Sequence, residues 1–323
     1  MVSRKTLSLN FFKPVIEFEY QLQQFDKMFT GYLSSSIIRQ INKLKDELYE
    51  LKKDIFKSLT PLQRLYLVRQ SSRPTTLNYI SYIMDEWIEL HGDRGGTDDP
   101  ALIGGVGRFD SKTIVFIGHQ RGKDTKDNVI RNFGMASPGG YRKALRLMQH
   151  ANRFNFPIFT FIDTPGAWAG IDAEKLGQGE AIAVNLRQMF SLQVPIICTV
   201  IGEGGSGGAL GIGVADKILM LEYAVYTVAT PEACAAILWK DSAKSLIAAE
   251  ALKITSSDLK ILGIIDTIIQ EPLEGAQNDP LMASCILKNE LISNLNFLLT
   301  LSGEKRKELR YKKFRNIGTF YES

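Results

Sequence analysis

Val200-Ile201-Gly202-Glu203-Gly204-Gly205-Ser206-Gly207-Gly208-Ala209-Leu210-Gly211 decides how this chain is read, because a buried strand runs into glycines and then into a helix. The preceding Val194-Pro195-Ile196-Ile197-Cys198-Thr199 is rich in β-branched side chains and predicts a covered strand. Small and aliphatic residues after Ser206 predict a close-packed helix. Glycine at the junction lets the chain turn sharply and lets another group approach the main chain. The first helical turn carries N–H groups with no internal partner, and an oxygen gaining negative charge would be stabilised there. The same glycines also suit plain packing of helix on sheet. By itself the junction leaves site and packing open.

Outward from the junction, strands are predicted near residues 103–109, 113–119, 158–163, 194–201, 218–221, 225–228 and 264–269. Helices are predicted from Arg73-Pro74-Thr75 to about residue 90, and near 141–154, 174–192, 231–239, 243–252 and 280–300. Their alternation gives an α/β domain with a parallel or mixed sheet. Ser137-Pro138 and Thr230-Pro231 mark two helix starts, and Thr60-Pro61-Leu62-Gln63 marks another with a capping box. Further upstream, Ile41, Leu44, Leu48, Leu51 and Ile55 step by three and four. That spacing predicts an amphipathic helix whose seam docks on its own domain or on a second protein. Three parts result: a helical appendage over 1–60, a main domain over 61–300 and a basic tail over 301–323.

With 323 residues and 45% hydrophobic content the chain can bury a large core. Its net charge of +4 does not imply generic nucleic-acid binding. No apolar run reaches the ~20 residues of a membrane span, and no secretory pattern opens the chain. Cys198, Cys234 and Cys285 lie far apart in apolar surroundings, which fits buried thiols in a reducing compartment and provides no zinc knuckle. No metal site is expected. The run from Lys305 to Arg315 mixes basic residues with Tyr311 and Phe314. It fits RNA or polyphosphate binding, with a solvated helical face as the plainer reading.

Gly118-His119-Gln120-Arg121-Gly122-Lys123 leaves a strand and concentrates donors and cations, so His119, Arg121 and Lys123 are candidates for binding an anionic substrate; a mixed-charge surface loop would look the same. It is not a Walker A loop, since three residues separate Gly118 from Gly122 and Asp124 follows Lys123. Asp163-Thr164-Pro165-Gly166 looks like the DxxG switch of a GTPase, but without a phosphate cradle it reads as a strand-end turn. A GTPase-like switch is a distant alternative. His91 and His150 lack metal-ligand spacing, and Ser206 lacks the GxSxG elbow. With no acid–base side chain to nominate, backbone donors come forward, each worth about 3 kcal/mol to a developing oxyanion.

Several motifs in order resemble the α subunit of the carboxyltransferase component of multi-subunit acetyl-CoA carboxylase. They are Leu9-Asn10-Phe11, Gly118-His119-Gln120 with Thr125-Lys126, Arg131-Asn132-Phe133-Gly134-Met135, residues 140–146, residues 161–167, the glycine junction, and Ala236-Ile237-Leu238-Trp239-Lys240. The resemblance implies a crotonase-like superhelix of ββα units, behind the N-terminal helical appendage. It implies transfer of CO2 from carboxybiotin, carried by a biotin carboxyl carrier protein, to acetyl-CoA, giving malonyl-CoA for fatty-acid synthesis. No cofactor would be bound covalently here. Partners would be a carboxyltransferase β subunit, in an α2β2 pattern, which carries any zinc of the family, together with the carrier protein and biotin carboxylase. A biotin enolate can take the acetyl proton itself, so no protein base is compulsory. The amides of Gly204, Gly205, Gly207 and Gly208 would form the biotin-facing oxyanion hole, with Gly166 and Ala167 lining the adjacent loop. Another crotonase-fold, biotin-dependent acyl-CoA carboxyltransferase or decarboxylase subunit is the alternative.

Trp168-Ala169 stands where many bacterial relatives have Tyr-Pro, and Ala233 where they have Gly; such changes alter either the wall beside biotin or only its packing, and packing is favoured since neither site supplies a required polar group. The pattern resembles cyanobacterial and plastid-encoded members. Heavy use of Ile, Lys, Asn and Phe suits an AT-rich organelle genome, and the short stretch before Leu9 points to synthesis within a plastid, with bacterial cytoplasm as the alternative.

Overall fold

The computed structural model describes residues 12–28 and 35–318; Leu9-Asn10-Phe11 lies outside the described residues. The helices are α1 (Lys13–Met28), α2 (Ser35–Lys57), α3 (Pro61–Val68), α4 (Thr76–Ile83), α5 (Thr125–Ile130), α6 (Pro138–Phe154) and α7 (Ile171–Lys175). They continue as α8 (Gln178–Ser191), α9 (Ser206–Leu210), α10 (Pro231–Trp239), α11 (Ser245–Ala251), α12 (Ser256–Ile261), α13 (Pro280–Leu299) and α14 (Gly303–Arg315). The strands are β1 (Glu86–Glu89), β2 (Leu102–Phe109), β3 (Lys112–His119), β4 (Ile158–Thr164), β5 (Ile196–Gly205), β6 (Lys217–Leu221), β7 (Val225–Thr227) and β8 (Thr267–Ile269). They form one eight-stranded sheet in the order β1-β2-β3-β4-β5-β6-β8, with β7 against β5.

The sheet is mixed. β1 to β3 pair antiparallel, and the others pair parallel through crossover connections. β4 and β5 are buried at every residue, as central strands covered on both faces must be. α6 and α8 pack together over the sheet, and α13 contributes the buried stripe Leu287, Leu291, Leu295 and Leu298.

Two expected helices change their extent. The helix expected to run from Thr75 to about residue 90 stops at Ile83, and residues 86–89 are strand β1. The cause is tertiary: Gly105 and Gly107 of β2 leave no Cβ, so the β1 backbone closes on β2, where an added Cβ on Gly105 would come 2.0 Å from the Ile88 carbonyl oxygen. Trp87 then packs edge-on against Phe116, with ring centroids 5.9 Å apart. The helix expected over 174–192 is interrupted at Gly177, whose φ of +79° belongs to the left-handed region.

The capping box at Thr60 forms as expected, with Thr60 and Gln63 bonding each other's backbone. The seam of α2 is shifted. Its buried positions are Leu48, Lys52 and Phe56, each four residues from the next, whereas Leu44 and Leu51 are exposed. Lys52 fits because Glu19 and Glu274 both pair with its ammonium, an arrangement that apolar periodicity does not register. Phe56 packs on Tyr223 of the main body at a centroid distance of 5.6 Å. At the other end, the basic segment folds as α14 and packs on α8. Arg310 is fully buried there, 2.8 Å from Asp216.

Candidate functional site

The strand of β-branched residues continues straight into the glycines, so β5 ends at Gly205 and α9 begins at Ser206. Gly204 and Gly205 sit inside the sheet, opposite Tyr226 and Thr227 of β7, with Thr164 of β4 opposite Gly204 on the other side. Gly205 occupies the N-cap of α9 and offers no capping side chain. The amides of the first turn, at Ser206, Gly207 and Gly208, therefore receive no cap from their own chain end. Ser206 adopts φ +50°, a conformation costing a β-carbon-bearing residue about 1–3 kcal/mol. That strain is a feature the sequence did not disclose.

The glycines divide into two kinds. A Cβ on Gly205 would lie 2.0 Å from the Pro165 carbonyl oxygen, and one on Gly208 would lie 2.4 Å from the Gly166 carbonyl carbon. Those two admit the close passage of the 165–167 backbone. Gly166 has nothing within 4 Å of an added Cβ, and at Gly207 the nearest atom is Ile182 Cδ1 at 3.8 Å. These two face open space. Gly204, Gly205, Gly207 and Gly208 are thus brought together with Gly166 and Ala167, as the sequence reading grouped them, while only at Gly166 and Gly207 would an added Cβ escape a clash with neighbouring backbone or side chains. Thr164 Oγ1 pins the turn by accepting from Gly166 N–H at 3.1 Å.

His119, Arg121 and Lys123 do not share a surface. Lys123 is exposed, and its backbone N–H donates to Asp127 at 3.0 Å. Arg121 turns inward, with Nε 3.0 Å from Asp163 and Nη2 2.9 Å from Glu203. Asp163, the residue suggesting a GTPase switch, is accordingly buried in an ion pair. His119 is fully buried beside the backbones of Gly208 and Phe161. Burial, aided by the Arg121 charge, pushes its pKa down from 6.5 to about 3. The imidazole is neutral at physiological pH.

The buried imidazole gives the fold a measurable acid dependence. In the unfolded chain His119 takes up a proton below pH 6.5, but in the fold it does not until about pH 3. Its contribution is complete above pH 6.5 and is lost as pH falls toward 3, at about 1.4 kcal/mol per pH unit. Urea unfolding of His119→Gln should show a shallower decline across that window than the parent; equal slopes would contradict the assignment.

Sequence reasoning missed Arg69, Arg73, Glu203 and Glu271. Arg69 grips Glu203 through two bonds of 3.0 and 2.6 Å, and Arg73 grips Glu271 through two of 2.9 and 2.8 Å. Each pair is more than 130 residues apart in sequence. The one available signal was the presence of acidic residues, Asp163 and Glu203, in otherwise apolar strands.

This α/β fold, with its mixed sheet, is that of crotonase-like carboxyltransferases. The fold is shared with transcarboxylase 12S, at TM-score 0.57 and 18% identity over 69% of this chain and 41% of that one. It is shared also with a chain of a Pseudomonas malonate decarboxylase hetero-tetramer, at TM-score 0.57 and 17% identity over 74% and 95%. Residues 8–318 match the family model described as acetyl co-enzyme A carboxylase carboxyltransferase-like. The chain is 73% identical to the acetyl-coenzyme A carboxylase carboxyl transferase subunit alpha of Antithamnion sp., covering 100% of both. Identity to that of Gracilaria tenuistipitata var. liui is 71%, over 100% of this chain and 98% of the relative. To that of the cyanobacterium Crocosphaera subtropica it is 64%, over 99% and 96%. The chain belongs to the family of acetyl-CoA carboxylase carboxyltransferase α subunits.

Proposed function

We propose that this subunit holds the carboxybiotin end of a carboxyl transfer whose acceptor is acetyl-CoA, giving malonyl-CoA, with the first-turn amides of α9 as its principal instrument. Carboxybiotin, delivered by the carrier protein, supplies the carboxyl group. The Gly207 and Gly208 amides donate to the ureido oxygen as it gains charge, Gly204 and Gly205 fix the strand end behind them, and Gly166 and Ala167 wall the approach. Preorganised donors of this kind stabilise charge without reorganising during reaction. The observation that carries the reading is the open space beside Gly166 and Gly207, next to a helix start with no side-chain cap. His119, neutral and buried, supports α9 from below rather than titrating.

A β subunit of related fold completes the site and supplies the CoA contacts. The segments next to the glycine junction expose apolar side chains that water does not favour: Trp168 at 36% and Ile171 at 73% after the 165–167 turn, and Val228 at 73% directly after β7. Exposed apolar surface of this kind fits contact with a protein partner. The carrier protein and biotin carboxylase complete the assembly. Relatives in red algae and cyanobacteria support a plastid stroma as the place of work. Malonyl-CoA decarboxylation with a biotin derivative should require this chain and its β partner together; full activity from either alone would refute the division of labour.

A further inference from the structure

We propose that Arg121, Asp163 and Glu203 form a positioning brace that aims the glycine junction, and that none of them touches substrate. The proposal rests on the oxyanion reading of that junction and adds what holds it in place.

β5 loses both its neighbours at one point. On the β4 side the register passes from Ile162 opposite Val200 to Thr164 opposite Gly204, so Asp163 alone faces Ile201, Gly202 and Glu203. On the other side, pairing with β6 ends at Val200 and pairing with β7 begins at Glu203. Ile201 and Gly202 therefore lie between ladders on both edges. Such irregularities bend a strand and re-aim the residues beyond the bend, which here are Gly204 and Gly205.

Buried backbone groups released from a ladder must find other partners. Here the partners are charged side chains. Arg73 Nε donates to the Ile201 carbonyl at 2.9 Å. Asp163 Oδ1 accepts from Glu203 N–H at 3.0 Å. Arg121 spans the gap, 3.0 Å from Asp163 and 2.9 Å from Glu203, and so ties β4 to β5 where their main chains no longer do. Arg69 holds the outer edge of the Glu203 carboxylate. Gly202 must lack a side chain, since a Cβ would lie 2.3 Å from Asp163 Oδ1. Gly134, with φ +80°, closes the other side against the Asp163 carbonyl and Arg121 Cγ.

Stability alone does not explain this cluster, because a buried ion pair gains little over well-packed apolar residues. Geometry does explain it. Asp163 immediately precedes the Thr164-Pro165-Gly166 turn and Glu203 immediately precedes Gly204-Gly205, so the brace sets the offset between the two walls of the site. The Glu203 side chain is 1% exposed, which excludes it from direct contact with a ligand. Misplacing a reacting group by about 1 Å can cost about 10²-fold in rate.

The test uses the assembled carboxyltransferase. Arg121→Met should lower kcat for malonyl-CoA decarboxylation with a biotin derivative by about 10²-fold, with KM for malonyl-CoA within about twofold of the parent. Amide hydrogen exchange should accelerate in the peptide spanning 200–211 and stay unchanged in α13. Arg121→Lys, which reaches one carboxylate, should recover part of the loss. An unchanged kcat per folded molecule, or a loss confined to KM, would overturn the brace, the latter pointing to direct binding by Arg121. Should Arg121→Met fail to assemble, Glu203→Gln serves in its place with the same expected split. Because Gly207 lies outside the brace, a Gly207 variant that loses activity while Arg121→Met keeps it would sink this proposal and spare the oxyanion reading; full activity in the Gly207 variant would sink the oxyanion reading itself.

Discussion

Gly207→Val should leave the subunit folded and assembled while carboxyl transfer falls by about 10²- to 10³-fold. Tolerance is expected because an added Cβ there meets only the flexible end of Ile182, Cδ1 at 3.8 Å, and no backbone. Replacing a helical glycine also removes backbone entropy from the unfolded chain, which favours folding. Any loss of rate must then come from the space in front of the α9 amides. Gly166→Ala is the companion, since nothing lies within 4 Å of its Cβ. Gly205→Ala is expected to behave differently. Its Cβ would be driven to 2.0 Å from the Pro165 carbonyl oxygen, so the sheet end must shift and stability should fall with activity. Bulky residues at Gly205 or Gly208 cannot separate catalysis from folding, whereas Gly207 can. Decarboxylation rates paired with thermal unfolding of each variant decide the matter, and wild-type kcat in Gly207→Val would remove the first-turn amides from the mechanism.

The glycine motif was legible as a junction because strand and helix periods meet there, and the order of motifs was specific enough to name a family. What the sequence did not carry is which glycine faces backbone and which faces space. Gly205 and Gly207 are identical in composition, and only the path of residues 165–167 separates them. The same holds for Arg121. In sequence it is a cation in a donor-rich loop, but its carboxylate partners lie 42 and 82 positions downstream. Strand β1 was misread for a related reason: the helical pattern of residues 76–83 runs on locally into Trp87 and Ile88, and the glycines of β2 that make room for a strand are distant in sequence. Lys52 interrupts the appendage seam because two glutamates from other segments neutralise it. Local periodicity found the elements; long-range charge pairing and close backbone contact set their final register.

Arg310→Leu should destabilise the protein by about 3–5 kcal/mol, the cost of leaving a buried partner uncompensated. Asp216 would keep its bond from Ile196 N–H at 2.8 Å but lose both guanidinium contacts, at 2.9 and 2.8 Å. The carbonyls of Met189, Leu192 and Val194 would lose their donor as well. These groups end α8 and lead into β5, the strand that delivers the glycines, so the basic segment acts on the site through the sheet. Removing everything after Ser302 would therefore unsettle the core and cannot test RNA binding cleanly. Neutralising the outward cations is the cleaner probe. Lys305 and Lys312 both pair with Glu308, and Lys307 with Glu304, so two carboxylates offset part of the charge of these three lysines. Lys305→Gln with Lys312→Gln should leave stability within about 0.5 kcal/mol of the parent and RNA retention on a salt gradient unchanged. A lower retention with a shallower salt slope would assign the face to phosphate contacts.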